Sequence, residues 1–221
     1  MNLDWNFIIK NIPLYKKATL LTLDIAFWGI LFSIVVGIIC SFIQYNKIKV
    51  LDHIVGAYIE LSRNTPLLIQ LFFLYYGFTK FGLKMGENTC AIVGLTFLGG
   101  SYISESFRSG IEAVSKSQIE TGLSIGLSKA QLTRYIILPQ AFSISMPSLS
   151  ANIIFLLKET SVVGAISILE LMNLTKDLIG LYYHTFESLL MLVIAYLIIV
   201  LPLSIILTLI ERRVRYGEFG N

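Results

Sequence analysis

Long uncharged stretches separated by short polar ones dominate this chain. Residues 25–46, 135–157 and 188–210 contain no Asp, Glu, Lys or Arg, over 22, 23 and 23 positions respectively. A helix of roughly 20 apolar residues crosses about 30 Å of hydrocarbon, so each run is long enough to span a bilayer. Two shorter uncharged runs, 64–79 and 88–104, reach that length when their polar ends are admitted. The pattern predicts five spanning helices, at roughly 18–44, 52–80, 88–112, 138–162 and 186–210, and an all-α integral membrane fold.

Composition agrees with that class. Of 221 residues, 55% are hydrophobic and 14% charged, against about 25% charged in soluble domains. A polar leader, residues 1–17, holds Pro13 and three lysines. It lacks the short apolar core and small-residue cleavage site of a signal peptide, so it is expected to be retained outside the membrane, with 18–210 as the membrane domain and 211–221 as a cytoplasmic tail. Nine Lys and Arg fall on the inner segments, among them Lys129, Arg134, Arg212, Arg213 and Arg215, if the N-terminus is outside, against six on the outer ones. The positive-inside bias therefore puts the N-terminus outside and the C-terminus in the cytoplasm. A net charge of +3 forms no single basic stripe, which gives no footprint for nucleic acid. Cys40 and Cys90 lie in apolar runs without ligand spacing, and His53 and His184 have no metal-ligand pattern, so no metal site is expected.

One stretch departs from the apolar pattern. Residues 115–141 read SKSQIETGLSIGLSKAQLTRYIILPQA. Ser115/Gln118 and Ser128/Gln131 both fit a capping box, Ser at N-cap and Gln at N3. Gly126 stands where a helix end turns left-handed, and Ile119, Leu123 and Leu127 recur every four residues to make one apolar face. Glu120 in the first turns suits the helix dipole, and Pro139 suits a helix start. The prediction is helix, glycine turn, helix, on the cytoplasmic side. Pattern alone leaves two readings, a solvated connector or a docking surface for another protein.

This stretch resembles the cytoplasmic EAA loop of ABC (ATP-binding-cassette) importer permeases, EAA-x3-G-x9-I-x-LP, with Glu120, Gly126, Ile136, Leu138 and Pro139 in register. Thr121 and Gly122 replace the two alanines, and Gly122 costs the helix up to about 1 kcal/mol relative to Ala. SRNTPLLIQLFFLYYGF (62–78), SYISESFRSGIEAVSKSQIE (101–120) and PSLSANIIFLLKETSVVGAISILEL (147–171) are similar to segments of the polar amino-acid subfamily (histidine, glutamate, glutamine, arginine, opine). The resemblance implies a type I importer fold in a bacterial inner membrane. It implies a coupling loop at about 115–139 in which Gln118, Glu120, Thr121, Gly122, Gly126 and Leu127 meet a cytoplasmic ATPase dimer. ATP and Mg would belong to that partner, and this chain carries no G-x4-G-K-[ST] phosphate loop. A second permease subunit, identical or not, and an extracytoplasmic amino-acid-binding protein complete the implied assembly.

Polar residues inside spans mark candidate pathways, because lipid penalises them. Glu60 and Arg63 are spaced to pair on one helix face, as an ion pair or as groups near the boundary. Asn64-Thr65-Pro66 follows, and Pro66 frees the Ser62 carbonyl, which breaks helix regularity either for packing or to line a cavity. Pro147 does the same for Ser143. Lys158, Glu159, Thr160 and Ser161 offer a cation, an anion and two hydroxyls, suited to a zwitterion or to a snorkelling helix end. The resemblance implies a translocation-path role for Glu159 and Thr160, with Gln70 and Tyr102 as further candidates. An ion-coupled secondary transporter is the rival reading, but no inverted repeat is visible in the sequence. A membrane enzyme would need a convergent His/Asp/Glu or Cys/His set, which the chain does not show.

Overall fold

A computed structural model describes residues 3–219, with side chains through Val214. The Arg215 side chain and residues 1–2 and 220–221, parts of the expected leader and tail, lie outside the described residues. Eight helical segments follow one another: α1 (Trp5–Tyr45), α2 (Lys49–Arg63), α3 (Leu67–Lys80), α4 (Glu87–Glu112), α5 (Lys116–Ser124), α6 (Lys129–Ile166), α7 (Leu171–Tyr182) and α8 (Thr185–Phe219). Four of them, α1, α4, α6 and α8, are long and apolar enough to cross a membrane. The fifth expected span, 52–80, is not one helix. It divides at residues 64–66 into α2 and the shorter α3.

The first helix starts earlier than expected. Asp4 caps it by accepting the Phe7 N–H at 3.0 Å, and the helix runs through Pro13 for 41 residues, roughly 60 Å at 1.5 Å per residue. Phe7, Asn11, Tyr15, Ala18 and Thr22 are its buried positions there, spaced one helical turn apart. They face α7 and α8, while Lys10, Lys16 and Lys17 are exposed. The polar leader is thus the first part of an amphipathic helix whose later part is the predicted span.

Small residues set the packing. Gly29, Ser33 and Gly37 form a stripe on α1 that lies against Leu95, Gly99 and Ile103 of α4, and the two helices run parallel. A Cβ on Gly37 would fall 2.5 Å from Ile103 Cγ2 and 3.0 Å from the Ser104 backbone nitrogen. In lipid, where no hydrophobic force separates helix from tail, such close approach is what holds helices together. Ser33 Oγ also donates to the Gly29 and Leu95 carbonyls, at 2.6 and 3.1 Å. On its other side α4 packs antiparallel to α6, where Gly110 meets Ala141 and Ser145. Ile25, Leu71, Leu95, Ile103, Leu156 and Val163 bury the centre of the resulting bundle. Cys40 and Cys90 are buried and unpaired.

Gly37→Ala gains up to about 1 kcal/mol of helix propensity but overpacks a backbone contact, at a cost of about 1–3 kcal/mol. Its Tm in detergent should therefore fall. Gly56 on α2 has nothing within 4 Å of its Cβ position, so Gly56→Ala should raise the Tm.

Candidate functional site

The polar hairpin forms as helix, left-handed glycine, helix. Gly126 has φ 87°; its N–H donates to the Leu123 carbonyl at 3.0 Å, and the Leu127 N–H to the Gly122 carbonyl at 3.1 Å, the paired bonds of a Schellman end. Ser128 then opens α6 with a complete capping box: the Gln131 N–H donates to Ser128 Oγ, and the Ser128 N–H to Gln131 Oε1 at 2.9 Å. The first expected box does not form. Ser115 makes no side-chain cap bond, and its backbone carbonyl takes the Gln118 and Ile119 amides instead.

The expected apolar stripe of α5 is divided between two faces. Ile119 packs inward against Val114, Leu132, Ile137 and Ala141, whereas Leu123 is 49% exposed and the neighbouring Ile125 73%. Gly122 is the buried residue of α5. A Cβ there would meet Leu132 Cδ1 at 2.5 Å and Ile136 Cδ1 at 2.9 Å, so bulk from α6 fills the place an alanine methyl would take. Gln118, Thr121, Gly122, Ile125, Ile136 and Gln140 surround an open hollow of about 310 Å³, and Glu120 is exposed. The hairpin is therefore anchored at its base and carries an exposed apolar tip, Leu123 and Ile125.

The second region centres on the break between α2 and α3. Pro66 has no N–H to continue α2 and disfavours a helical Thr65, so α2 stops at Arg63, and the extended ψ of 140° at Pro66 separates it from α3. Gln70 repairs the gap: its buried Nε2 donates to the Ser62 carbonyl at 3.0 Å and the Thr65 carbonyl at 2.9 Å, satisfying backbone that lipid cannot. Thr65 Oγ1 donates to the Leu61 carbonyl, and Asn64 Nδ2 to the Glu60 carbonyl and carboxylate. Pro147, by contrast, lies inside α6 without interrupting it.

Arg63 does not pair with Glu60 as its spacing predicts. Its guanidinium turns to α4, 3.2 Å from Glu105 Oε2 and 5.4 Å above the Tyr102 ring centroid. Glu105 also takes two bonds from Arg108, and Arg108 reaches Glu112 at 2.6 Å. Tyr102 in turn lies against Phe155 of α6, with ring centroids 5.4 Å apart. Asn152 Nδ2 donates to the Tyr102 carbonyl and to Ser106 Oγ, which lies 2.7 Å from Ser148 Oγ. These groups make a polar seam from the helix break across α4 to α6. Sequence reading missed Glu105, Ser106, Ser148 and Asn152, since each becomes meaningful only through a partner on another helix. Ser148 and Asn152, one helical turn apart in an apolar run, were the available signal.

Lys158, Glu159, Thr160 and Ser161 sit where α6 tightens from α-helix to the 3-10 turn Thr160–Ile166. Lys158 is exposed, Glu159 and Ser161 are half-buried, and Thr160 is fully buried with its hydroxyl on the Leu157 carbonyl at 2.6 Å. The first turns of α3 pack against this turn, Leu67 and Leu71 with Val163 and Ile166. The fold thus brings α3, directly after the break, onto the 3-10 turn that follows Glu159, while Tyr102 lies between Arg63 and Phe155. Behind the turn, Glu170 is fully buried. Burial pushes its carboxyl from the ordinary 4.5 up to about 7, against the pull of the Met172 and Asn173 amides and the Lys176 ammonium. Among the described residues no group of His, Cys, Asp and Glu is set to hold a metal ion.

A bundle of spanning helices with one broken span, a polar seam beside the break and an anchored hairpin at one end is the build of a membrane transport subunit. The chain belongs to the family of binding-protein-dependent transport system inner membrane components, whose sequence profile matches residues 20–216; it is an ABC importer permease. It is 34% identical to a probable amino-acid ABC transporter permease, PatM, of Vibrio harveyi, over 89% of each chain. It is 31% identical to the glutamine transport system permease GlnP of Escherichia coli K12, over 97% of this chain and 99% of that one. Among solved structures, an amino acid ABC transporter crystallised with histidines superposes with a TM-score of 0.89 at 30% identity, covering 96% of this chain and all of that one. A subunit of the methionine transporter MetNI shares the fold, with a TM-score of 0.77 at 21% identity over 93% of this chain and 98% of that one.

A carboxyl raised by burial stabilises the fold fully below its ordinary value and loses that contribution as pH rises through the folded one. The Tm of the wild type should therefore fall between pH 5 and pH 8 by more than that of Glu170→Gln, and parallel curves for the two proteins would contradict the assignment.

Proposed function

We propose that this chain is the permease of an importer for polar amino acids in a bacterial inner membrane, with its N-terminus outside and its C-terminus in the cytoplasm. Two permease subunits, identical or paired with a related chain, sit on a cytoplasmic ATPase dimer that binds ATP and Mg, and an extracytoplasmic amino-acid-binding protein delivers the substrate. This chain performs no covalent chemistry. The observation that carries the reading is the hairpin: a glycine-turned element rooted in the ends of α4 and α6, with exposed Leu123 and Ile125 at its tip. An apolar tip on a polar connector calls for a protein partner. The amino-acid class is supported by the roles for which PatM, GlnP and the transporter crystallised with histidines are named.

In this reading Gln118, Glu120, Thr121, Gly122, Gly126 and Leu127 form or shape the ATPase-coupling surface. ATP-driven closure of the ATPases interacts differently with the two permease states and so shifts their populations. The substrate path runs past Asn64, Thr65, Pro66, Gln70 and Tyr102 to Lys158, Glu159 and Ser161, with Thr160 shaping the turn from behind. Glu159 meets the α-ammonium group and Lys158 the α-carboxylate.

The ATPase should co-purify with this chain, and uptake into proteoliposomes should require ATP; uptake driven by an ion gradient alone would point to a secondary transporter. Gly126 has open space around it, so only its backbone angle resists substitution. Gly126→Val should cost about 1–2 kcal/mol and weaken ATPase binding, whereas Gly126→Asn, which tolerates the left-handed region, should bind nearly normally. Glu159→Ala should leave the complex assembled and cut uptake roughly tenfold or more, as expected for loss of one charge-assisted bond.

A further inference from the structure

Glu170 ends the short connection between α6 and α7, and its side chain is fully buried. One carboxylate oxygen accepts the Met172 N–H at 2.7 Å and the other the Asn173 N–H at 2.8 Å, two of the orphan amides at the start of α7. Asn173 Nδ2 donates back to the Ile168 carbonyl at 3.0 Å, and the Leu171 N–H points to Thr22 Oγ1 of α1 at 3.4 Å. On its opposite side the carboxylate lies against the 3-10 turn. A Cβ on Gly164 would stand 2.8 Å from Glu170 Oε1 and 2.8 Å from Asn173 Cβ.

A serine would cap α7 without the expense of burying an ionisable group. The longer side chain does something a serine cannot: it fills the space between the α7 terminus and the Gly164 backbone. The turn it braces needs support, since it leaves regular α-helix at Thr160 and ends on Ser167 at φ 70°, a left-handed value that non-glycine residues seldom hold unaided.

We propose that Glu170 is a positioning residue of the translocation path: by bridging the α7 terminus and the Gly164 backbone it fixes the 3-10 turn, and with it the aim of Lys158, Glu159 and Ser161. This rests on the path reading given above, in which those three side chains meet substrate. Glu170 itself touches none of it.

The test uses the assembled complex of this chain with its ATPase and binding protein in proteoliposomes, and measures ATP hydrolysed per substrate imported. Glu170→Ala removes both acceptors and the filling volume. It should raise that ratio roughly fivefold or more while ATPase co-purification stays normal. Glu170→Gln keeps the shape and an acceptor and should return the ratio close to wild type. Gly164→Ala presses on the same carboxylate without removing the cap and should raise the ratio as well, so the test survives if Glu170→Ala fails to fold. An unchanged ratio in Gly164→Ala, or a Gln variant as defective as the Ala variant, overturns the proposal. Failure of the transport reading itself appears elsewhere, as wild-type uptake that needs no ATP.

Discussion

The structure depends on how closely α1 lies against α4. Gly29, Ser33 and Gly37 leave no side-chain bulk between the two backbones, and Leu95, Gly99 and Ile103 fill the space from the other side. In a bilayer this contact cannot rely on expulsion of water, so its strength comes from dispersion at short range and from the shared bonds of Ser33 Oγ. Once α1 and α4 are joined, α6 has a fixed surface to pack on, and the Ser106, Ser148 and Asn152 hydrogen bonds set its register. The broken pair α2 and α3 then closes over α4, held by Tyr58 and Ser62 on the Phe97 carbonyl and by Arg63 on Glu105.

Two consequences for transport follow from that packing. The hairpin at residues 115–128 grows directly out of the ends of α4 and α6, and its inner face shares a core with them through Val114, Leu132, Ile137 and Ala141. A push on its tip is therefore delivered to the two helices that also carry Tyr102, Asn152 and the 158–161 segment. By contrast, α2 has few buried residues, Val55, Ile59 and Ser62, and reaches the bundle through a small apolar cluster with Cys40 of α1 and through hydrogen bonds to α4. Such a helix, hinged at a proline whose freed carbonyls are met by one glutamine side chain, has the local freedom that switching elements draw on. In the proposed function, rigid delivery and a loosely held span are complementary halves of one mechanism.

Local chemistry was legible in the sequence, and long-range partnership was not. The glycine turn at Gly126, the capping box at Ser128 and the break at Pro66 each depend on residues within a few positions, and each formed as read. The Ser115 box has the same letters but no side-chain bond, because its carbonyl already serves the Gln118 and Ile119 amides. Helical spacing lets Arg63 pair with Glu60, or leaves both as groups near the membrane boundary. Asn64 occupies that carboxylate, and the cation found a better partner on α4. Residues 1–17 read as a polar leader because they hold Pro13 and three lysines, yet Phe7, Asn11 and Tyr15 make a helical stripe that acquires meaning only when α7 and α8 lie beside it. Glu170 escaped notice for the same reason: an acidic residue in a connection reads as solvent-facing until the fold encloses it.

The central claim is that the hairpin moves with α4 and α6 as one body. Spin labels at Ser124 on the hairpin and Ser109 near the C-terminal end of α4 measure this directly, in the complete complex with and without trapped nucleotide. The account predicts that the distance between these labels stays the same in both states, while a pair joining Ser124 to Asp52 on α2 changes. A hairpin that shifts against α4 when nucleotide is bound would contradict it.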